Sequence, residues 1–435
     1  MKDIYIEKER EISVIADVDV LVCGGGPAGV GAAIRAARLG VSVMVVEMLD
    51  CLGGMATSGM MSHYTGDSSS SVMREIFTRT REKCDVLGYD DGNMHGDLAA
   101  IHHEAQKIAL DELTDESGVK KLYYTKVCDV IRDGNKVAGV IVENKSGRGL
   151  IKAKTVIDST GDGDVAFLAG VPYCKGRESD GKMQPATLMF KVGGVDYSRA
   201  VFPPTFETEV PTEKGELQAL GKSILPFPAG HVLLYRQPTP GTVCCNMTNA
   251  LDVDATDAFS VSKATEQCRA QIPYIIDFLH KYAPGYENCW LMSAGSLIGI
   301  RETRHFEGEA RLEKEDILSA RYYEDWVVRK AYFNLDVHNM TGNGLDVTGV
   351  QHKFTQQKPY TIPYGCLIPK NVDNLFLSGR NISGSHIAHS SFRAMPICMA
   401  IGEAAGAAAA LYVMNKLKSS KVVNVKDIQK IVGDD

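Results

Sequence analysis

VDVLVCGGGPAG, residues 18–29, joins a short apolar run to a glycine turn and the beginning of a helix. Val18 to Cys23 reads as a buried strand, because an apolar run of this length bounded by glycines suits a sheet better than a helix. From Pro27 the chain continues PAGVGAAIRAARLG, with Ala28, Ala32 and Ala36 at helical spacing, so that one helix face can lie close to a sheet. Gly40 ends that helix. Val41 to Val46 is a second apolar strand with Glu47 at its end, and the whole segment is one βαβ unit of about 30 residues.

The turn carries chemistry. In Gly24-Gly25-Gly26-Pro27-Ala28-Gly29 the first glycine makes the tight turn, Gly26 lets backbone approach a pyrophosphate, and Gly29 permits close helix packing. The helix start presents unpaired N–H groups and about half a positive charge, which suits a diphosphate. Glu47, 18 residues beyond Gly29, is placed to accept hydrogen bonds from ribose hydroxyls, and a carboxylate there disfavours the 2′-phosphate of NADP. A dinucleotide site is expected; the fingerprint alone does not separate FAD from NAD.

Outward from this unit, a helix is expected over Gly96 to Leu113. Strands follow at Leu122–Thr125, Val127–Ile131, Val137–Glu143 and Leu150–Ile157, forming a β-meander that ends in a second glycine turn, DSTGDGD. The middle of the chain has strand patterns at Ala186–Val192, His231–Arg236 and Thr242–Met247 and a helix over Ala255–Tyr282, without a second fingerprint. Near the C-terminus the opening style returns, with a strand at Asn374–Ser378, then Gly379, and a small-residue helix over Pro396–Leu411. The expected fold is α/β: a three-layer Rossmann-like domain built from 1–170 and 358–435, with an inserted α+β substrate domain over 171–357.

Composition narrows the partners. Glycine supplies 42 of 435 residues, above the roughly 7% of an average chain. Net charge is -7 with no basic block, which argues against nucleic acid. Eleven cysteines without a CxxC pair suggest neither a disulfide framework nor a zinc ribbon, and fit a reducing cytoplasm. The N-terminal MKDIYIEKEREIS lacks a signal-peptide core, and the most apolar run, Pro396–Met414, carries Glu403, so no membrane association is expected. A homo-oligomer is compatible with this composition.

Shortly after the acid come Leu52-Gly53-Gly54-Met55-Ala56-Thr57, and near the C-terminus LFLSGRNISGSH followed by RAMPICMAIGEAAGAAAAL. With these segments in this order, the chain resembles the FAD-dependent oxidoreductases of the glutathione-reductase-like superfamily over about Val18–Gly66, Thr155–Val165 and Tyr360–Leu411. The resemblance implies FAD as cofactor, with Leu52, Gly53, Gly54, Met55 and Thr57 around the pyrophosphate and ribityl chain. It implies that Val127 flanks the adenine, that Thr160 and Gly161 close over the nucleotide, and that Gly379 and Arg380 approach the ribityl and diphosphate. Met48 and Asp164 join the cofactor-binding set. The helix from Met395 and Pro396 would aim its N-terminus at the flavin, where reduced flavin carries negative charge; proline there loses no needed donor. The alternative is that this helix only packs on the sheet.

The disulfide-reducing branch carries a cysteine pair where this chain has Met55, Ala56 and Thr57, so disulfide exchange is not expected. Cys51 stands alone as a packing residue, and Cys244-Cys245 reads as core. With no second fingerprint, electrons enter or leave through a substrate, oxygen or a partner. Hydride transfer at flavin N5 needs a proton carrier, and His386, His389 and Arg393 lie just before the flavin-facing helix. The His386/His389 spacing lacks a neighbouring carboxylate or cysteine, so no metal site is expected.

Arg301 and Arg304 share a face if their segment is helical and point oppositely if it is extended. They hold an anionic substrate or pair with Glu302 or Glu307. His338, beside Asp336, and His63, after the flavin-proximal turn, complete the candidates, while His102 and His103 are read as surface and packing residues. The expected function is two-electron oxidation or reduction of a small polar organic substrate, an anionic one being one reading of the arginines. Alternatives are fumarate-reductase-like carbon-carbon chemistry and a non-catalytic electron-transferring FAD subunit serving a protein partner.

Overall fold

The computed structural model describes residues 5–89, 99–346 and 350–433. The apolar run before the glycine turn extends into a strand over Ser13–Cys23, which pairs in parallel with Val43–Val46 on one side and with Gly147–Asp158 on the other. Lys120–Leu122 adds to the outer edge of Val43–Val46, again in parallel. The long strand Gly147–Asp158 serves two neighbours. Its first half carries the antiparallel hairpin partner Lys136–Asn144, and its end pairs in parallel with Leu375–Leu377. Chain from both ends therefore builds one seven-stranded sheet.

The expected meander is three strands, Lys126–Asp133, Lys136–Asn144 and Gly147–Asp158. The fourth expected member, near Leu122, belongs instead to the parallel sheet, because three residues suffice to satisfy the edge left by the short strand Val43–Val46. The helix expected from Gly96 runs over His103–Glu116; residues 96–98 lie outside the described residues. His102 and His103 are both buried, His102 accepting the Ala105 N–H as N-cap and His103 Nε2 lying 3.0 Å from the Met61 carbonyl oxygen.

Two helices cross with their backbones nearly touching. A Cβ on Gly402 of the helix Met395–Met414 would lie 1.9 Å from the Ala28 carbonyl oxygen, and one on Gly406 2.2 Å from that of Ala32, in the helix Pro27–Arg38. Among the described residues Met395–Met414 alone is long and apolar enough to cross a membrane by length and composition, yet it is mostly buried in the protein. Its charge is accounted for: Glu403 accepts from Arg35 Nη2 at 2.5 Å, from the Val72 N–H at 3.2 Å, and from the Ser70 hydroxyl.

The inserted chain forms an antiparallel sheet in the order Leu234–Arg236, Val243–Cys245, Phe190–Gly193, Trp290–Ala294. Phe190, Val192, Val243 and Cys245 pack with Ile272, Ile275 and Phe278 of the helix Ala258–Tyr282. Strand alternation sends Tyr235 and Cys244 the other way, toward the first unit. The Tyr235 ring meets His63 edge-on at 4.7 Å, and Cys244 Sγ lies 3.3 Å from the Met60 carbonyl oxygen. Phe306, Val327, Val328 and Leu335, within the stretch read as inserted, pack in the larger core of the first unit.

Candidate functional site

The glycine turn is shaped by three different constraints. Gly24 has φ +95°, and a Cβ there would sit 2.3 Å from the Ser159 carbonyl oxygen; on Gly29 it would sit 1.9 Å from the Gly24 oxygen. On Gly26 it would meet nothing within 4 Å. Gly26 thus faces open space at the start of the helix, beside Pro27. Glu47 links the turn to the second strand, accepting the Gly25 N–H at 2.6 Å and the Leu49 N–H at 2.9 Å.

Around the helix start gather the other segments of the set. The Gly53 N–H donates to the Gly25 carbonyl at 2.8 Å, with Gly53 and Gly54 both at positive φ. Leu52 is buried, and its carbonyl accepts the Thr57 hydroxyl at 2.7 Å. On the opposite side Asp158 accepts from both the N–H and the hydroxyl of Thr160, and the Ser378 N–H donates to the Asp158 carbonyl. Gly379 approaches Ala28, and Gly161 lies against the Arg380 guanidinium. Arg380 Nη2 pairs with Asp162 at 2.8 Å, whereas its buried Nη1 has no partner among the described residues. An open cradle at Gly26, a helix N-terminus and an unpartnered guanidinium N–H fit the diphosphate of FAD. Met48 is largely exposed and Val127 half-buried on its strand. Asp164 accepts from Arg304 Nη1 at 3.0 Å.

A cavity of about 630 Å³ lies between this cradle and the inserted sheet. Met55, Arg380 and Met395 line it from the first unit, and the Pro396 carbonyl, at the start of the same helix, accepts the Ser68 hydroxyl at 2.7 Å. Arg301, His338, Arg393 and His63 also line it. Arg301 Nη1 donates to the Thr187 hydroxyl at 3.0 Å and to the Pro185 carbonyl, and Arg301 makes no ion pair among the described residues. Burial, then the nearby Arg393 charge, lowers its pKa to about 10, so it stays charged at neutral pH.

Arg393 Nη2 pairs with Asp336 Oδ2 at 2.8 Å, and the same oxygen lies 3.3 Å from His338 Nε2. Burial alone would raise the Asp336 carboxyl, but His338, Arg393 and Arg301 hold it well below the usual range. Burial, reinforced by Arg301, pushes His338 down to about 4, and burial alone does the same to His63, whose Nδ1 is 2.7 Å from the Ser62 hydroxyl.

Three expected participants lie elsewhere. His386 and His389 belong to the helix His386–Phe392 and do not line the cavity. His386 Nδ1 is 2.6 Å and His305 Nε2 2.7 Å from the same oxygen of Glu302, which is fully buried, and His389 meets the His305 ring edge-on at 4.9 Å. Arg304 points away from Arg301, as an extended segment requires, and lies over the Phe167 ring at 4.3 Å while bonding the Asp162 carbonyl. Glu302 thus pairs with histidines, not with either arginine. Asp336 lines the cavity beside His338, and Tyr235 and Thr187, which the sequence reading did not single out, line it too; alternation along the strand at Tyr235 was the available signal.

A family description, FAD dependent oxidoreductase, matches residues 19–432. A thiamine thiazole synthase of Methanococcus maripaludis is 31% identical over 155 residues, 34% of this chain and 57% of that protein. One from Saccharolobus islandicus is 30% identical over 181 residues, 38% of this chain and 64% of its own length. The chain spans somewhat over half the length of these relatives. Among solved structures, the flavin-dependent brominase Bmp2 superposes with a TM-score of 0.52 at 14% identity, over 96% of this chain and 84% of that one. At that identity the likeness concerns the fold, a parallel-sheet FAD-binding architecture.

Proposed function

The chain belongs to the FAD-dependent oxidoreductase family, and from that premise we propose that this enzyme oxidises or reduces a small anionic organic molecule held in the cavity by Arg301. The observation that carries the reading is a half-buried guanidinium, pinned by Thr187 and Pro185 and lacking an ion-pair partner among the described residues, in a cavity that also touches Met55, Arg380 and Met395. A partly desolvated charge of this kind favours an anionic partner, and a carboxylate matches its planar donor edge. FAD, when bound, supplies the two-electron redox chemistry.

Gly26 and the helix N-terminus would hold its diphosphate, Glu47 its ribose, and Arg380 a further anionic group. Met395 and Pro396 begin the helix whose N-terminal end favours negative charge on the ring. Arg393, already engaged by Asp336, adds positive potential without offering its whole fork. Phe206, Leu233 and Met189 give the cavity apolar walls that exclude water from the substrate. We place the chain with the glutathione-reductase-like flavoproteins on its turn and C-terminal segments, without their disulfide chemistry.

Calorimetric titration of the oxidised holoprotein tests this reading. Small carboxylates should bind, their uncharged amides should bind at least about tenfold more weakly, and Arg301→Met should erase the difference. Equal binding of acid and amide by the unmodified protein would remove the basis of the proposal.

A further inference from the structure

We infer that the substrate is an α-hydroxy carboxylate and that His338 takes its hydroxyl proton as the enzyme oxidises it to the α-oxo acid. This rests on the proposed function and adds substrate class, direction and base. Asp336 Oδ2 lies 3.3 Å from His338 Nε2, so the ionised carboxylate accepts the Nε2 hydrogen. Nδ1 then carries the free lone pair, and it has no hydrogen-bond partner among the described residues on a ring that lines the cavity. A carboxylate-oriented imidazole with its other nitrogen open is the arrangement of a general base.

Arg301 lines the same cavity as His338. Its Nη1 is spent on Pro185 and Thr187, which leaves Nε and Nη2 without partners among the described residues. A carboxylate on that edge and a hydroxyl toward His338 suit a molecule bearing both groups on neighbouring carbons. The charges select a hydroxyl over an ammonium. Asp336 is already shared by Arg393 and His338, so it offers no free carboxylate to an ammonium beside His338.

In the step, the substrate O–H bond breaks and its proton passes to His338 Nδ1, while the C–H bond breaks and its hydrogen leaves with both electrons to oxidised FAD. The carbon is oxidised from alcohol to ketone and the cofactor is reduced by two electrons, so atoms and charge balance without another reactant. Asp336, Arg301 and Arg393 face His338 from the cavity, Phe206 meets its ring edge-on at 5.3 Å, and His231 lies behind Phe206 at 5.1 Å.

The test mixes oxidised holoprotein anaerobically with lactate, malate and glycerate, with the corresponding amino acids, and with alcohols lacking a carboxylate, and follows bleaching of the visible flavin band in a single turnover. Binding of oxalate, which cannot be oxidised this way, is measured separately by calorimetry. At least one hydroxy acid should bleach the flavin while amino acids and simple alcohols do not. His338→Gln should slow bleaching by about a hundredfold or more and leave oxalate affinity within about threefold, and Arg301→Lys should weaken oxalate about tenfold or more. Oxalate binding without bleaching by any hydroxy acid, bleaching by amino acids instead, or an unchanged rate in His338→Gln would overturn this inference and leave the anion-binding proposal standing. Failure of every carboxylate to bind would overturn both.

Discussion

At the scale of single residues, the three fingerprint glycines separate into two kinds. Gly24 and Gly29 are required by the fold, since a methyl group at either would drive into backbone. Gly26 is not: its φ of −67° suits any residue and its Cβ would meet only open space. Gly26→Ala should therefore leave the apoprotein's thermal midpoint unchanged while weakening FAD by about tenfold or more, because the methyl group occupies the place read as the pyrophosphate's. Retention of full FAD affinity in a folded Gly26→Ala protein would mean that the diphosphate lies elsewhere. This site was legible because the turn encodes a local backbone shape. The cavity was less so. Arg301 and Arg304 look alike in sequence and were separated only by the extended backbone that turns one inward and the other onto Phe167. His386 and His389 carry the right chemistry, but a glutamate 84 residues earlier in the chain draws His386 into the core. Nothing local announces such a partner.

At the scale of elements, the helices Pro27–Arg38 and Met395–Met414 are joined by glycine contacts and by one buried carboxylate. Gly402→Ala would require the Ala28 carbonyl to move away from a methyl group built at 1.9 Å, a shift of the same helix start that borders the cradle. We expect about 1–3 kcal/mol of destabilisation, as for other overpacked contacts, together with weaker FAD retention. Glu403→Ala should cost about 3–5 kcal/mol, since it strips a carboxylate from Arg35, Ser70 and the Val72 N–H, and urea midpoints of the apoproteins would register both losses. An unchanged midpoint in Glu403→Ala would show that the carboxylate does not hold the pair together. The βαβ unit, the hairpins and both of these helices were readable because their apolar periods and turn residues are local. The strand expected at Leu122–Thr125 was read into the meander, whereas the observed strand Lys120–Leu122 pairs in parallel with Val43–Val46, because strand pairing across the sheet is set by which edge is left open. The stretch Phe306–Leu335 was read as inserted because it carries no fingerprint, while its burial belongs to the first unit.

At the scale of the whole molecule, burial of histidine dictates how the fold responds to acid. Burial holds His63 and His338 down to about 4 and His103 and His231 down to about 3, and it pushes His389 well below its ordinary value. Among the described residues neither ring nitrogen of His231 has a hydrogen-bond partner, consistent with a ring buried in its neutral form. In the unfolded chain each would titrate near about 6.5. Between that value and the lowered folded one, the unfolded state binds more protons, so stability rises with pH across this window and is lost as pH falls through it. Each histidine contributes a slope of about 1.4 kcal/mol per pH unit, and five together about 7, against a total stability of about 5–15 kcal/mol for a typical domain. The carboxylates act later: Glu302 and Asp336 are held well below their ordinary range, so their contribution persists above about pH 4 and is lost only below it. The thermal midpoint of the holoprotein in excess FAD should thus be nearly flat above about pH 7 and fall steeply from about pH 6 to 5, a full unit or more before carboxylate titration begins. A midpoint that stays level down to about pH 4.5 would show that these rings are protonated in the native state, and would remove the neutral imidazole on which the base role of His338 depends.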